Sequence, residues 1–335
     1  MTKLKKLFSQ KRSEIFKAYI IAEIGINHEG NVNKCAQMIK NAASSGANAI
    51  KLQTVNADKS YSKETESYKI FKKAEISKSD TEKMFKYARK LGVEPFTTSG
   101  DLETLEWVDK LKPVAHKISS GLLSCTPMLK ATSKLLKPII LSSGMSDYDE
   151  IKRAISYVQK INKKIILLHC TSEYPCNEKN LNLSTITSFK NFFSVPIGFS
   201  DHSLGIKMAP LAVGIGAVVI EKHFTYDSKR KGFDHNISLM QNDFKLMVRE
   251  IRLVEKVLGN SEKKILNSEL KNYHRSIATA YNLKAGHKLT LQDLLFMRFE
   301  KNINLISANE TNKILGKVIK KDYLEKQALI WKDIK

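Results

Sequence analysis

Two apolar runs, "PIGFSDH" (196–202) and "AVVIEKHF" (217–224), each carry a histidine at or near the C-terminal end, His202 and His223. A lone histidine past a strand is usually a satisfied core or surface residue, but two at the same end of successive strands could share a site. Zinc usually takes three or four protein ligands, so two histidines suit a metal whose octahedral shell is completed by substrate and water, as for Mn²⁺. His28, His116, His274 and His287 are expected to be structural or exposed. Two lysines, Lys51 and Lys117, also sit in apolar runs among hydroxyl residues. Such ammonium groups would suit a small phosphorylated or carboxylated anion; the alternative is internal pairing with Glu23 and Glu221.

These residues need elements to position them. Eight short β-rich runs recur, at 19–25, 49–54, 94–99, 115–120, 138–144, 164–170, 196–202 and 217–224. Their cores are continuously apolar, as in parallel strands covered on both faces. Helical patterns lie between them. In "GNVNKCAQMIKNAASSGA" Val32, Cys35, Met38, Ile39 and Ala42 share a face, and Gly46 suits the C-terminal cap. Ser146 and Asp149 resemble a helix-capping pair, and another helix runs from Ser79 or Asp80 to Gly92. Eight strands alternating with helices over about 250 residues predict an α/β fold, a (β/α)8 TIM barrel. A doubly wound sheet is the competing architecture, but no G-x-G-x-x-G opens the first helix. The barrel is expected to span 1–265, with a short extension to about 17, followed by a linker and a small β-rich domain over 266–335.

In this architecture the C-terminal strand ends carry the chemistry. In order they read Glu23, Asn27 and His28; Lys51 and Gln53; Thr97 and Thr98; then Lys117 and Ser120. Ser142 and Ser143 follow, then His169, Thr171 and Tyr174, then Ser200, Asp201 and His202, and finally Glu221, Lys222 and His223. Polar groups so placed must be hydrogen-bonded or used, because burying one unpaired costs about 1–3 kcal/mol.

The composition narrows the partners. The chain of 335 residues is 42% hydrophobic and 8% aromatic, which describes an ordinary globular protein. Its formal charge of +22 is carried mostly by lysines scattered along the whole chain, without any nucleic-acid-binding signature, so a solvated lysine-rich surface is expected. No run of 18 apolar residues or signal peptide occurs, so neither a membrane nor a nucleic acid is an expected partner. The four cysteines, Cys35, Cys125, Cys170 and Cys176, form no CxxC pair and read as reduced thiols of a cytoplasmic protein, three of them buried.

Taken together, "IIAEIGINHEGN", "AIKLQT", "KISSG", "PIILSSGM", "LLHCTSEYP", "IGFSDHSLG" and "VIEKHFT" resemble the sialic acid synthase family in order and spacing. The C-terminal segment is similar to that family's antifreeze-like (SAF) domain, so the resemblance covers residues 18–335. It implies a transferase that condenses phosphoenolpyruvate with an N-acetylated hexose, N-acetylmannosamine by default, to a nine-carbon nonulosonic acid. By the same resemblance, Lys51, Thr98, Lys117, Ser120, Ser142 and Ser200 bind phosphoenolpyruvate, and His202 and His223 ligate a divalent metal, Mn²⁺ or else Mg²⁺ or Co²⁺. Glu23 is the implied base or cation stabiliser, while Asp234 and Tyr174 face the sugar and share in catalysis. Arg298 matches the arginine that the terminal domain lends to the partner subunit's site in a homodimer with shared sites.

Three departures from the family pattern fall in the sugar-facing half. Gly100 stands where an aromatic is usual, Leu122 replaces an acidic residue, and Phe299 and Glu300 replace the proline and glycine after the arginine. A larger, less polar pocket is expected from the first two. This favours the alternative acceptor, a 2,4-diacetamido-trideoxyhexose, with legionaminic or pseudaminic acid as product. Two readings from other classes remain: an aldolase forming a Schiff base on Lys117 or Lys51, and a non-catalytic sugar-binding protein.

Overall fold

The structure, a computed structural model, describes residues 2–8, 17–259, 263, 273–300 and 304–335. Two compact units divide the chain, Met1–Asn260 and Ser261–Lys335. The expected boundary at 265, most of the linker and the extension over 9–16 lie outside the described residues.

In the first unit eight parallel strands close into a barrel in chain order. They are β1 Tyr19–Gly25, β2 Ala49–Thr54, β3 Glu94–Ser99, β4 His116–Ile118, β5 Ile139–Ser142, β6 Ile165–Cys170, β7 Ile197–Asp201 and β8 Val219–His223. This is the TIM barrel that the strand count predicts. Both faces of each strand are buried, and period two divides the apolar residues into two cores. Ile20, Ala22, Ile50, Leu141, Leu167 and Ile220 pack outward against the helices. Tyr19, Ile21, Ala49, Phe96, Ile140, Ile166, Leu168 and Val219 fill the interior, where Leu4 of the 3₁₀ turn Leu4–Phe8 joins them. The interior is crowded at Gly198, where a Cβ would stand 2.5 Å from Leu168 Cδ2 and 2.6 Å from the Val219 carbonyl oxygen.

The helices start close to their sequence signals, with small shifts. Ser77 rather than Ser79 caps the helix Lys78–Lys90, accepting from the Asp80 amide. The capping box of Tyr148–Gln159 is Asp147 with Glu150, one residue beyond the expected pair, because the Asp147 carboxylate reaches the Glu150 amide and Glu150 reaches back. Cys35, Cys170 and Cys176 are buried and all four cysteines are free.

The second unit has its own core of Ile277, Leu283, Leu289, Leu294, Ile306 and Tyr323. It contains an antiparallel pair, β9 Ser276–Thr279 and β10 Leu294–Met297, with further isolated bridges such as Ala278 to Ala328. That content fits a small additional β-rich domain. Among the described residues, no helix is long and apolar enough to cross a membrane.

Candidate active site

The inward parity that builds the interior core continues to the C-terminal strand ends. Following Tyr19 and Ile21 comes Glu23; following Ala49 come Lys51 and Gln53; following Phe96 comes Thr98. Lys117, Ser142, Cys170, Ser200, His202, Glu221 and His223 arrive by the same alternation. All line one cavity of about 510 Å³, joined by Ser120 and Tyr174 from the loops. Its lining comes wholly from the first unit.

At the floor, two lysines alternate with two glutamates. Lys51 Nζ lies 2.7 Å from Glu23 Oε2 and 4.0 Å from Glu221 Oε2, and Lys117 Nζ lies 3.2 Å from Glu221 Oε1. Both lysines are therefore paired internally, while the hydroxyls an anion would need stand beside them. Lys51 Nζ reaches Thr98 Oγ1 at 3.4 Å, and Ser200 Oγ donates to Glu221 Oε1 at 3.0 Å. Ser142 Oγ is buried without a hydrogen-bond partner. Ser120 Oγ accepts from the Gly144 amide at 3.0 Å.

The two glutamates differ in protonation. Burial and the neighbouring Glu221 push the Glu23 carboxyl up to about 7, against the pull of Lys51. Burial would raise Glu221 too, but Lys117, Lys51 and the Ser200 hydroxyl hold it down at about 2. Glu23 thus sits in the range where a carboxylate can exchange a proton near neutrality. Gln53 Nε2 donates to its Oε1 at 3.1 Å. Gly25, at φ +54, is where β1 slips register against β2, and a Cβ there would come within 2.9 Å of the same oxygen.

His202 and His223 face each other with ring centroids 5.4 Å apart. The Thr171 carbonyl lies 2.8 Å from His202 Nδ1, which makes that nitrogen the donor and leaves Nε2 as the lone-pair end. Tyr174 stacks on the His202 ring at 4.2 Å. His223 Nδ1 lacks a hydrogen-bond partner and stands 3.5 Å from Asp234 Oδ2. Burial lowers the pKa of both rings, keeping the imidazoles neutral as metal ligation requires. Among the described residues no three His, Cys, Asp or Glu side chains gather as a metal cluster. The donor set fits an ion held by two imidazoles and completed by substrate and water, and does not fit a structural zinc.

Asp234 does not line the cavity; it backs His223, and burial raises its carboxyl to about 6. Arg298 belongs to the second unit, where its guanidinium lies 4.3 Å over the Tyr273 ring.

Beyond the strands, Val55, Tyr61, Phe71, Leu122 and Met145 add apolar lining, alongside Ser60, Ser119 and Ser172. Leu122 faces the cavity. Gly100 does not open a void as the sequence suggested, since a Cβ there would meet Ser60 Oγ at 2.7 Å and Val55 Cγ1 at 3.0 Å. Aromatic surface is supplied instead by the stacked pair Tyr61 and Phe71, with centroids 4.9 Å apart. Both come from the β2–β3 connection, Tyr61 just after the turn Ala57–Ser60 and Phe71 on the helix Glu66–Ala74, and strand parity does not reach them. Gln53 and Glu221, named among the strand ends, do line the cavity, and Cys170, read only as a buried thiol, could have been assigned to it by strand parity alone.

A closed β/α barrel with buried lysines, carboxylates, hydroxyls and paired histidines at its C-terminal mouth has the arrangement of a barrel enzyme's active site. The chain belongs to the NeuB family, whose model matches residues 38–263. It is 34% identical to N,N'-diacetyllegionaminic acid synthase of Campylobacter jejuni, over 93% of this chain and 99% of that protein. It is 33% identical to the enzyme of the same name from Legionella pneumophila, over 96% of both. The crystal structure of N-acetylneuraminic acid synthetase from Leptospira borgpetersenii, in complex with citrate, superposes with a TM-score of 0.74 at 35% identity, covering 77% of this chain and 90% of that one.

Proposed function

We propose that this chain condenses phosphoenolpyruvate with the open-chain aldehyde of an N-acetylated hexose, releasing a nine-carbon nonulosonic acid and phosphate. The observation that carries the reading is the convergence of Lys51 and Lys117 with Thr98, Ser120, Ser142 and Ser200 on one cavity floor. Two ammonium groups and four hydroxyls suit the carboxylate and phosphate of phosphoenolpyruvate. Against burial, Glu221 and Glu23 raise the Lys51 pKa, while burial lowers that of Lys117 in spite of Glu221, and the two carboxylates would share these ammonium groups with the substrate.

The enol carbon attacks the aldehyde, forming the new C–C bond and leaving an oxocarbenium at C2. Glu23 is placed to stabilise that cation and to take the proton of the water that adds there. The tetrahedral intermediate then expels phosphate by C–O cleavage. His202 and His223 would hold a divalent ion, Mn²⁺ by preference, which supplies Lewis-acid polarisation of the aldehyde oxygen. Tyr174 would face the sugar beside the histidines, and Asp234 would act on it by way of the His223 ring that it backs. In this reading the protein works in the cytoplasm as a homodimer, and Arg298 completes the partner's site from the terminal domain.

N-acetylmannosamine is the default acceptor. The apolar lining by Val55, Tyr61, Phe71, Leu122 and Met145 favours the second acceptor, a 2,4-diacetamido-trideoxyhexose, whose deoxy carbon and acetyl methyl groups need no polar partner. The names of the two relatives from Legionella and Campylobacter support it as well. Phosphate release from phosphoenolpyruvate, measured with a panel of N-acetylated sugars, tests both readings. Release with none of them would overturn the condensation, and covalent trapping of pyruvate by borohydride would replace it with Schiff-base chemistry.

A further inference from the structure

We infer that Asn27 and Glu29, on the loop after β1, are positioning residues that clamp the segment 224–238 and so hold Asp234 against His223. The inference rests on the role given to Asp234 above.

The segment after β8 has little structure of its own. It bridges back at Phe224 to Leu239 and contains one short 3₁₀ turn, His235–Ile237. Immediately before Asp234, Phe233 holds φ +52, a left-handed conformation that a bulky side chain adopts only under constraint. The constraint comes from two side chains across the barrel mouth.

Asn27 is fully buried. Its Oδ1 accepts from the Asp234 amide at 3.0 Å, while its Nδ2 donates to the Phe224 carbonyl at 3.1 Å and to Ser238 Oγ at 2.9 Å. Ser238 Oγ in turn donates to the Asp234 carbonyl at 2.5 Å. Both backbone polar groups of Asp234 are thereby fixed, leaving its carboxylate free to face His223.

Glu29 secures the outer half of the segment. Arg230 grips its carboxylate through Nε and through Nη2 at 2.8 Å, the Tyr226 hydroxyl donates at 2.8 Å, and His235 Nε2 stands at 3.0 Å. Lys34 Nζ reaches Glu29 at 3.0 Å and the Tyr226 hydroxyl at 2.8 Å, tying the cluster to the helix Val32–Ser44. Partial burial would raise the Glu29 carboxyl, but the hydrogen bonds from Arg230, Tyr226 and Lys34 hold it at about 2. Asn27, Glu29 and Asp234 all stand outside the cavity lining, so the effect of the clamp on the substrate must pass through Asp234 to His223, which does line it.

The test is steady-state kinetics of the full chain with Mn²⁺, phosphoenolpyruvate, and both N-acetylmannosamine and the trideoxy sugar. Glu29→Gln and Arg230→Ala should each raise the sugar KM by about tenfold or more, with the phosphoenolpyruvate KM within about twofold of wild type. Arg230→Lys should recover part of the loss. Glu29→Gln added to Asp234→Asn should cause no further loss, because the clamp then has nothing left to position. Circular dichroism and thermal melting confirm that each variant is folded. Additive losses, or equal increases in both KM values, would overturn the clamp. Wild-type kinetics in Glu29→Gln, beside an impaired Asp234→Asn, would overturn it while sparing the role of Asp234. A silent Asp234→Asn would remove that role and this inference with it.

Discussion

Lys222 Nζ lies 3.0 Å from Asp201 Oδ2, and both side chains are at 0% exposure. The two residues are register partners on β7 and β8. Lys222 also donates to the Ser203 carbonyl at 2.5 Å, and Asp201 Oδ1 accepts from the Ser203 amide and hydroxyl. By alternation the pair faces away from the cavity while Ser200, His202, Glu221 and His223 face into it. A slip of one residue would turn both histidines outward. The ion pair stands between them and that slip.

Lys222→Met alone leaves a buried carboxylate uncompensated, so it should lose about 3–5 kcal/mol of stability. Lys222→Met with Asp201→Asn should cost less than the sum of the two single changes. Urea unfolding of the four proteins measures both quantities. Simple additivity would mean that the pair does not act as a unit.

Removal of the metal should abolish turnover, since His202 and His223 present two neutral imidazoles at the cavity. EDTA treatment followed by Mn²⁺ or Co²⁺ should erase and restore activity. Each histidine changed to alanine should be folded but inactive. A metal-free sample, verified by elemental analysis, that retains full activity would refute the requirement.

Glu23→Gln preserves the shape of the site and removes the carboxylate proposed as its base. The kcat should fall roughly 10²–10⁴-fold, with phosphoenolpyruvate affinity nearly unchanged. A loss smaller than tenfold would move the catalytic role away from Glu23.

Leu122→Glu places a carboxylate in the apolar part of the lining. It should weaken use of the trideoxy sugar relative to N-acetylmannosamine, because a carboxylate favours a hydroxyl partner. The ratio of kcat/KM between the two sugars reads this out. An unchanged ratio would separate Leu122 from sugar selection.

If the protein is the proposed homodimer with shared sites, the Arg298→Ala and Glu23→Ala variants should each be nearly inactive. Subunit exchange makes about half the dimers mixed, and each mixed dimer then has one intact site if Arg298 serves the partner. The mixture should regain about a quarter of wild-type activity per total site. If Arg298 serves its own chain, every site in a mixed dimer carries one lesion and nothing returns. Mass spectrometry establishes that exchange has occurred.

The sequence by itself determined the barrel and most of its floor. Continuous apolar runs can be satisfied only by strands buried on both faces, and period two then carries Ile21 to Glu23, Phe96 to Thr98 and Val219 to Glu221 along the same inward line. The helix caps came within a residue or two, because several Ser and Asp candidates stand side by side and only backbone geometry chooses among them. What the tertiary structure decided lies off the strands. Leu122 was legible as a substitution, but the aromatic surface of Tyr61 and Phe71 was not: Phe71 lies on the helix Glu66–Ala74 and Tyr61 just after the turn Ala57–Ser60, and how those elements between β2 and β3 come to lie against the mouth is a tertiary matter. The crowding at Gly100 was equally hidden, because its neighbours Ser60 and Val55 approach from another element. Asp234 meets His223 only because Asn27, over two hundred residues earlier in the chain, holds its backbone. Pairing of Lys51 with Glu23 and of Lys117 with Glu221 is likewise a matter of distance, and distance across a barrel mouth is set by closure of the sheet.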